Sequence, residues 1–276
     1  MKKTVSFLLF SSFLVSHAQK HKLVQIWSTD AVVATPESVL PDPNNNLLYV
    51  SLIDGGPWDA DGKGGIGHMT NKGTGYDSNW ITGLNAPKGL GKYRDRMYAA
   101  DISEVVVVDI PKGKLIKKIP VEGATGLNDI TVSDKGTVYV SDSKTSRIWK
   151  IDDDKPMLYL ENITGANGLK AVKDDLYFAK GSALMKADDK KNITQVADVG
   201  QGIDGIEPIG NGDFLVTAWS GYIFYVYADG KTELLLDTHE QKKNTADIGY
   251  DPVKKIVYVP TFFDRRIVAY QLSEVK

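Results

Sequence analysis

The sequence predicts an all-β fold: a six-bladed β-propeller with four antiparallel strands per blade, its ring closed by an N-terminal strand. Three observations predict it. One motif recurs six times, its spacing is that of a propeller blade, and a strand-like segment precedes the first copy without a blade of its own.

The copies are PESVLPDPNNNLLYVSLID (36–54), PKGLGKYRDRMYAADI (87–102), LNDITVSDKGTVYVSDS (127–143), ANGLKAVKDDLYFAKG (166–181), IDGIEPIGNGDFLVTAW (203–219) and ADIGYDPVKKIVYVPTF (246–262). Each reads as a short strand, a polar turn of Asp, Asn, Gly or Lys, and an alternating strand centred on Tyr or Phe, which is the pattern of a hairpin. After most copies comes a third strand such as VVVVDI, RIWKID, ALMKAD or YIFYVYADG, then a fourth such as KLIKKIPV, MLYLEN or TELLLD.

The second residue of each copy is Glu37, Lys88, Asn128, Asn167, Asp204 and Asp247, giving intervals of 51, 40, 39, 37 and 43 residues. Blades of about 40 residues in rings of roughly four to eight are the arithmetic of a propeller. The long first interval holds DGGPWDADGKGGIGHMTNKGTGYDSNW, whose Gly-rich part reads as an enlarged loop in blade one. The segment KLVQIWS (22–28) is expected to supply the outer strand of the last blade, which closes the ring and removes an open sheet edge.

The 276 residues are 42% hydrophobic and 25% charged, the balance of an ordinary globular protein. The 33 basic and 35 acidic side chains nearly cancel, and no basic run or face with interleaved aromatics stands out. Nucleic acid is therefore not an expected partner, and a small-molecule substrate is.

At the N-terminus, MKKTVSFLLFSSFLVSHAQK places Lys2 and Lys3 ahead of an apolar stretch from Val5 to Val15, then Ser16 and Ala18 at small-residue positions. That is the tripartite pattern of a signal peptide over 1–18, leaving one propeller domain over 19–276. The apolar stretch is too short to cross about 30 Å of hydrocarbon as a helix, and no later segment reaches the roughly 18 apolar residues a span needs. The chain has no cysteine, so it forms no disulfide and carries no lipid anchor on Cys. An exported protein, periplasmic or secreted, is expected.

In a propeller the innermost strand of each blade runs along the central channel, so residues at its start converge on one axial site. The ring Glu37, Lys88, Asn128, Asn167, Asp204 and Asp247 combines three carboxylates, two amides and one lysine. Converging carboxylates without a counter-ion repel and resist desolvation. A divalent cation would resolve the conflict. Carboxylate and amide oxygens are hard donors, and the ring holds neither Cys nor His, so calcium comes first, with magnesium, manganese and oxygen-ligated zinc compatible. The alternative is a ring of polar strand ends that only hydrates a channel.

At these residues the chain resembles the regucalcin and gluconolactonase family of six-bladed propellers, over all six repeats. The resemblance implies metal ligands at Glu37 in TPES, Asn167 in ANGL and Asp204 in IDGI, and a substrate-side Asn at Asn128 in LNDI. Two positions depart from the family pattern. The glycine usual after the blade-one Glu is Ser38, and the Arg that precedes the Asn-Asp pair in sugar-lactonase members is Gly126. The second departure removes a donor for sugar hydroxyls or a carboxylate. Lys88 would supply a substitute charge, or else be a rim lysine paired with a carboxylate.

The resemblance implies a metal-dependent hydrolase of a lactone or related ester, with Asp204 as general base. Asp247 is a local alternative base, and Asn128 would orient the substrate. Phosphotriester hydrolysis, as in the similar diisopropyl fluorophosphatase, needs the same polarising ion. The reading from another class is a non-catalytic exported propeller, like the NHL-repeat proteins, that binds a ligand or protein with one face.

Other features carry less. Trp58, in the blade-one loop beside DADGKGG, is expected to cap the ligand entrance, and with Lys88 to line the substrate side. His68 and His239 lie outside the ring and are expected to be structural. DADGKGG (59–65) begins like a calcium loop but places Thr70 where an EF-hand has its bidentate Glu, so the motif is rejected. Trp149 and Trp219 are expected on strands, packing between blades.

Overall fold

The computed structural model describes residues 19–275; the signal-peptide expectation over 1–18 lies outside them. Among the described residues, the strands form six four-stranded antiparallel sheets. The molecule is a six-bladed β-propeller.

Blade one is β2 (Pro36–Asp42), β3 (Leu47–Leu52), β4 (Gly64–Thr70) and β5 (Asp77–Leu84). Blade two is β6 (Pro87–Tyr93), β7 (Arg96–Asp101), β8 (Glu104–Asp109) and β9 (Lys114–Pro120). Blade three runs through β10 (Leu127–Val132), β11 (Val138–Asp142), β12 (Arg147–Asp152) and β13 (Lys155–Glu161). Blade four is β14 (Ala166–Val172), β15 (Asp175–Lys180), β16 (Ala183–Ala187) and β17 (Ile193–Asp198). Blade five has β18 (Ile203–Gly210), β19 (Asp213–Ala218), β20 (Tyr222–Val226) and β21 (Thr232–Asp237). Blade six has β22 (Gly249–Asp251), β23 (Ile256–Pro260) and β24 (Ile267–Glu274), with β1 (His21–Ser28) as its outer strand, paired His21 to Glu274 through Ser28 to Val268. The first and last strands thus share one sheet, and closure leaves no open end in the ring.

Period-two alternation decides what each strand buries. In β8, Val105 and Val107 join blade three residues Ile130, Val140 and Trp149, while Val106 and Val108 join blade one residues Ile66, Ile81 and Leu84. The same division repeats around the ring, so an apolar cluster lies at each of the six blade interfaces. Each fully buried Val, Leu or Ile contributes about 1.5–3 kcal/mol relative to exposure. Trp149 packs in the cluster between blades two and three, as expected from the sequence.

The inner strands crowd together where they begin. A Cβ at Gly168 would lie 2.1 Å from the Asp204 carbonyl oxygen, and one at Gly205 would lie 2.7 Å from the Ile248 nitrogen. Glycine there lets β14, β18 and the start of blade six approach backbone to backbone. In blades one, three and five, a hydroxyl from the second strand also accepts the N–H of the residue following the ring position: Ser51 from Ser38, Ser141 from Asp129 and Thr217 from Gly205. These contacts set where each ring side chain starts.

Candidate functional site at the channel mouth

Glu37, Lys88, Asn128, Asn167 and Asp204 are each the second residue of an inner strand, β2, β6, β10, β14 and β18. Asp247 precedes β22 and is held at the same level by a parallel bridge to Ser38, its N–H donating to the Glu37 carbonyl at 2.9 Å. The structure therefore brings all six sequence-predicted ring positions to one end of the channel. Glu37 and Asp204 are only 4% and 3% exposed, and Lys88, Asn128 and Asp247 are also buried.

Neither amide oxygen of the ring has a donor among the described residues. Asn167 Nδ2 donates to Asp204 Oδ1 at 2.7 Å, and Asn128 Nδ2 donates to Ser143 Oγ at 3.0 Å. The amide nitrogens are thereby used, and Asn167 Oδ1, Asn128 Oδ1 and Glu37 Oε2 are left buried without a partner. An unsatisfied buried acceptor costs about 1–3 kcal/mol. Three in one ring is an arrangement that a positive charge would satisfy at once.

The carboxylates are under the same stress. Burial pushes Glu37 well above its ordinary value, and Asp204 and Asp129 add to the push while Lys88 opposes it. Burial also raises Asp204 to about 7, against the Asn167 hydrogen bond and Lys88. Asp247 is raised well above its usual value by burial and by Asp129 and Glu37, although the Ser38 hydroxyl donates to its Oδ2 at 2.5 Å. Burial of this kind favours the neutral form of a carboxyl unless an opposite charge lies close by.

Asp129 is a fourth acid of the site that reasoning from the ring positions missed. It follows Asn128, is buried, and accepts N–H bonds from Ile130 and from Leu169 of the neighbouring blade, while burial raises it to about 7. A signal existed: the residues after the ring positions are Ser38, Gly89, Asp129, Gly168, Gly205 and Ile248, and only one is ionisable.

Lys88 is not paired with a carboxylate at ion-pair distance among the described residues. Its ammonium donates to the carbonyls of Pro57 and of Ala86, the latter at 3.1 Å, and lies 4.0 Å from the centroid of Trp58. Burial lowers it to about 8, against the pull of Glu37, Asp101 and Asp204. The enlarged blade-one loop, between β3 and β4, thus brings Trp58 onto Lys88, a contact the sequence did not announce. Lys144, from the turn after β11, reaches the same ring, its Nζ 4.6 Å from the centroid.

Trp219 corrects an expectation. It sits one residue past the end of β19, in the turn, and is 41% exposed. The turns after second strands share the end of the ring where inner strands begin, because each hairpin pairs antiparallel. Trp219 meets Phe262 and Phe263 edge-on, 5.5 and 5.9 Å between centroids, and Phe263 is 61% exposed. Phe262 packs on Ile53, Ala86 and Ala246, beside the ring. The mouth thus has an aromatic side on blades five and six and a cationic side on blades one to three.

The two predicted bystander histidines take ordinary roles. His239 Nδ1 lies 2.5 Å from Asp237 and its ring stacks on Tyr222; His68 lies edge-on to Trp80. Among the described residues, no group of three His, Cys, Asp or Glu side chains is arranged to hold an ion by itself. A cation in the ring would need amide oxygens beside the carboxylates, and the donorless oxygens of Asn128 and Asn167 fit that demand.

Comparison with known family patterns and with individually curated proteins finds no sequence match. Solved structures do match in shape. A gluconolactonase from Xanthomonas campestris is similar with a TM-score of 0.73 at 13% identity, covering 93% of this chain and 91% of that one. A streptogramin B lyase gives 0.66 at 12% identity, over 94% and 100%. A chain of a nidogen–laminin complex gives 0.67 at 15% identity, over 78% and 90%. At such identities the likeness is one of fold. No helix among the described residues is long and apolar enough to cross a membrane.

Proposed function

We propose that the protein is an exported, divalent-metal-dependent hydrolase of a lactone or related ester. Glu37, Asn167 and Asp204 would hold the ion, calcium first among the hard cations. The observation that carries this reading is the set of three buried oxygens without donors, set among carboxyls that burial has pushed up. The likeness in fold to a gluconolactonase is compatible with it. When bound, the ion would polarise a carbonyl and make a water molecule more acidic.

The chain's own groups divide the remaining work. Asn128, anchored through Ser143, orients the substrate. Asp204 is the candidate base, since a carboxylate touching both the ion and its water could take the proton. Asp247 has its Oδ2 engaged by the Ser38 hydroxyl, so it is the weaker candidate. The Trp58 indole against Lys88 would limit water above the ring.

The aromatic side formed by Trp219, Phe262 and Phe263, together with Gly126 in place of a guanidinium, favours a substrate with an apolar body over a free sugar acid lactone. The test compares kcat/KM for sugar lactones, apolar lactones and aryl esters at saturating calcium. Turnover of the apolar class, lost in both Asn128→Ala and Asp204→Ala, is expected. No turnover of any compound by calcium-loaded protein would overturn the reading. That outcome would favour a non-catalytic binding propeller, for which the exposed Trp219 and Phe263 would be the contact face.

A further inference from the structure

The cationic side of the mouth repeats, with opposite sign, the problem posed by the carboxylate ring. The ammonium groups of Lys88 and Lys144 lie 4.0 and 4.6 Å from the centroid of one indole, that of Trp58. Two like charges gathered on one ring repel, and among the described residues neither nitrogen has a carboxylate at ion-pair distance. Attraction to the ring face holds an ammonium in place but leaves its N–H donors available. Lys88 uses two of its three donors on the carbonyls of Pro57 and Ala86. Lys144 Nζ makes no hydrogen bond among the described residues.

The position of Lys144 is built, not incidental. Its stem lies across Gly126: a Cβ there would stand 2.6 Å from Lys144 Cγ, 2.8 Å from Cβ and 3.0 Å from Cδ. Its backbone N–H is fixed by Asp142 Oδ1 at 3.2 Å, and the same carboxylate takes the Thr145 N–H at 3.0 Å. The absence of a side chain at Gly126 is therefore what lets Lys144 cross toward Trp58. Asn128, two residues on, is itself a ring position, its Oδ1 buried without a donor.

We propose that Lys88, Lys144 and Trp58 form an anion subsite at the rim of the channel. The substrate then carries a carboxylate, or another compact oxyanion, on the side of its reactive carbonyl that faces blades one to three. This deepens the hydrolase reading and rests on it for the identity of the reacting group. The subsite sets specificity, with Lys88 as the fixed donor and Lys144 as the donor that closes on the anion. A ligand suited to both sides of the mouth has an apolar part against Trp219 and Phe263 and an anionic part against the two lysines.

The test is a calorimetric titration of the mature, calcium-loaded chain with a five-membered lactone bearing a ring carboxylate, beside its uncharged carboxamide. The carboxylate is expected to bind about tenfold more tightly, the worth of one charge-assisted hydrogen bond. Lys144→Ala should remove most of that preference and Lys144→Glu should reverse it. Gly126→Ala, which changes no charge, should reduce it by displacing the Lys144 stem. Calcium affinity, measured separately, is not weakened by Lys144→Ala, since the change removes a cation near the ring. Equal binding of the two compounds, no binding of either, or a preference that survives Lys144→Glu would overturn the proposal. Binding preference without turnover would instead count against the hydrolase reading and leave the anion subsite standing.

Discussion

The two ends of the same channel treat buried charge in opposite ways. At the mouth, Glu37, Asp129, Asp204 and Asp247 are packed together and raised by burial, with three donorless oxygens among them and their neighbours. Three to five residues further along the same strands, about 10–16 Å at strand rise, the charges are matched. Lys170 of β14 meets Glu207 of β18 at 2.7 Å, and Lys92 of β6 meets Asp42 of β2 at 2.8 Å. Burial works against Lys170, yet Glu207, helped by Asp247 and Asp129, outweighs it and holds the ammonium above its ordinary value, while burial still raises the Glu207 carboxyl against the pull of Lys170. Burial likewise raises Asp42, but Lys92 and Asn45 overcome it and hold the carboxyl below the usual range. The lower end opens into a cavity of about 710 Å³ lined in part by Lys92, Arg94 and Lys170. The acids of one end each have a lysine at ion-pair distance and those of the other have none among the described residues, which is the difference the proposed cation would make good.

The largest expected effect breaks the upper end of this contrast. Asp204→Ala should weaken calcium binding by about a hundredfold or more, the worth of a lost charged ligand. Asp247→Ala should weaken it much less, because Asp247 is engaged by Ser38. Equal affinities for the two variants in calorimetric titration would contradict the assignment of ligands.

Next comes the lower end. Lys170→Met leaves Glu207 without its partner and should cost about 1–3 kcal/mol in chemical denaturation, with calcium affinity nearly unchanged. If that variant also lost calcium, the two ends would not be separate devices.

Gly168→Ala tests the geometry between them. Its Cβ would press on the Asp204 carbonyl, and overpacking of this kind costs about 1–3 kcal/mol. It should weaken calcium binding as well as stability, since it separates the strands bearing Asn167 and Asp204. A loss of stability without any change in calcium affinity would show that strand spacing does not set the site.

The same contrast can be probed by pH on metal-free protein. The carboxyls of Asp129 and Asp204 are raised to about 7 in the folded state from an ordinary value of 3.8. A raised acid holds its proton in the fold, so its stabilising contribution is present below the ordinary value and is lost as pH climbs through about 7. Thermal unfolding with chelator should therefore show Tm falling from pH 5 to pH 8, while the increment given by calcium grows over the same window. A chelated Tm that rose across this range would oppose the account of the ring.

The sequence made the ring legible because a repeat exposes equivalent positions. Glu37, Lys88, Asn128, Asn167, Asp204 and Asp247 occupy the same place in six copies, and inner strands must converge. The closing strand at 22–28 was legible for a related reason, since an unpaired strand and an open ring complete each other. Side chains arriving from turns were not. Lys144 reaches Trp58 by crossing Gly126, a contact between positions with no shared periodicity. Trp219 turned on a boundary: one residue more in β19 would have put it in a sheet, and one fewer puts it on the rim. The pairing of Lys170 with Glu207 and of Lys92 with Asp42 links different blades, so neither partner announces the other in the chain.

The central claim is that the mouth of the channel is completed by a cation, and one measurement addresses it most directly. Protein stripped with chelator and dialysed is titrated with calcium at pH 7.5, with heat and bound metal read together. The account predicts one tightly bound ion per chain, with release of protons from the raised carboxyls as it binds. A titration without saturable binding of calcium, and equally without binding of magnesium, manganese or zinc, would contradict it.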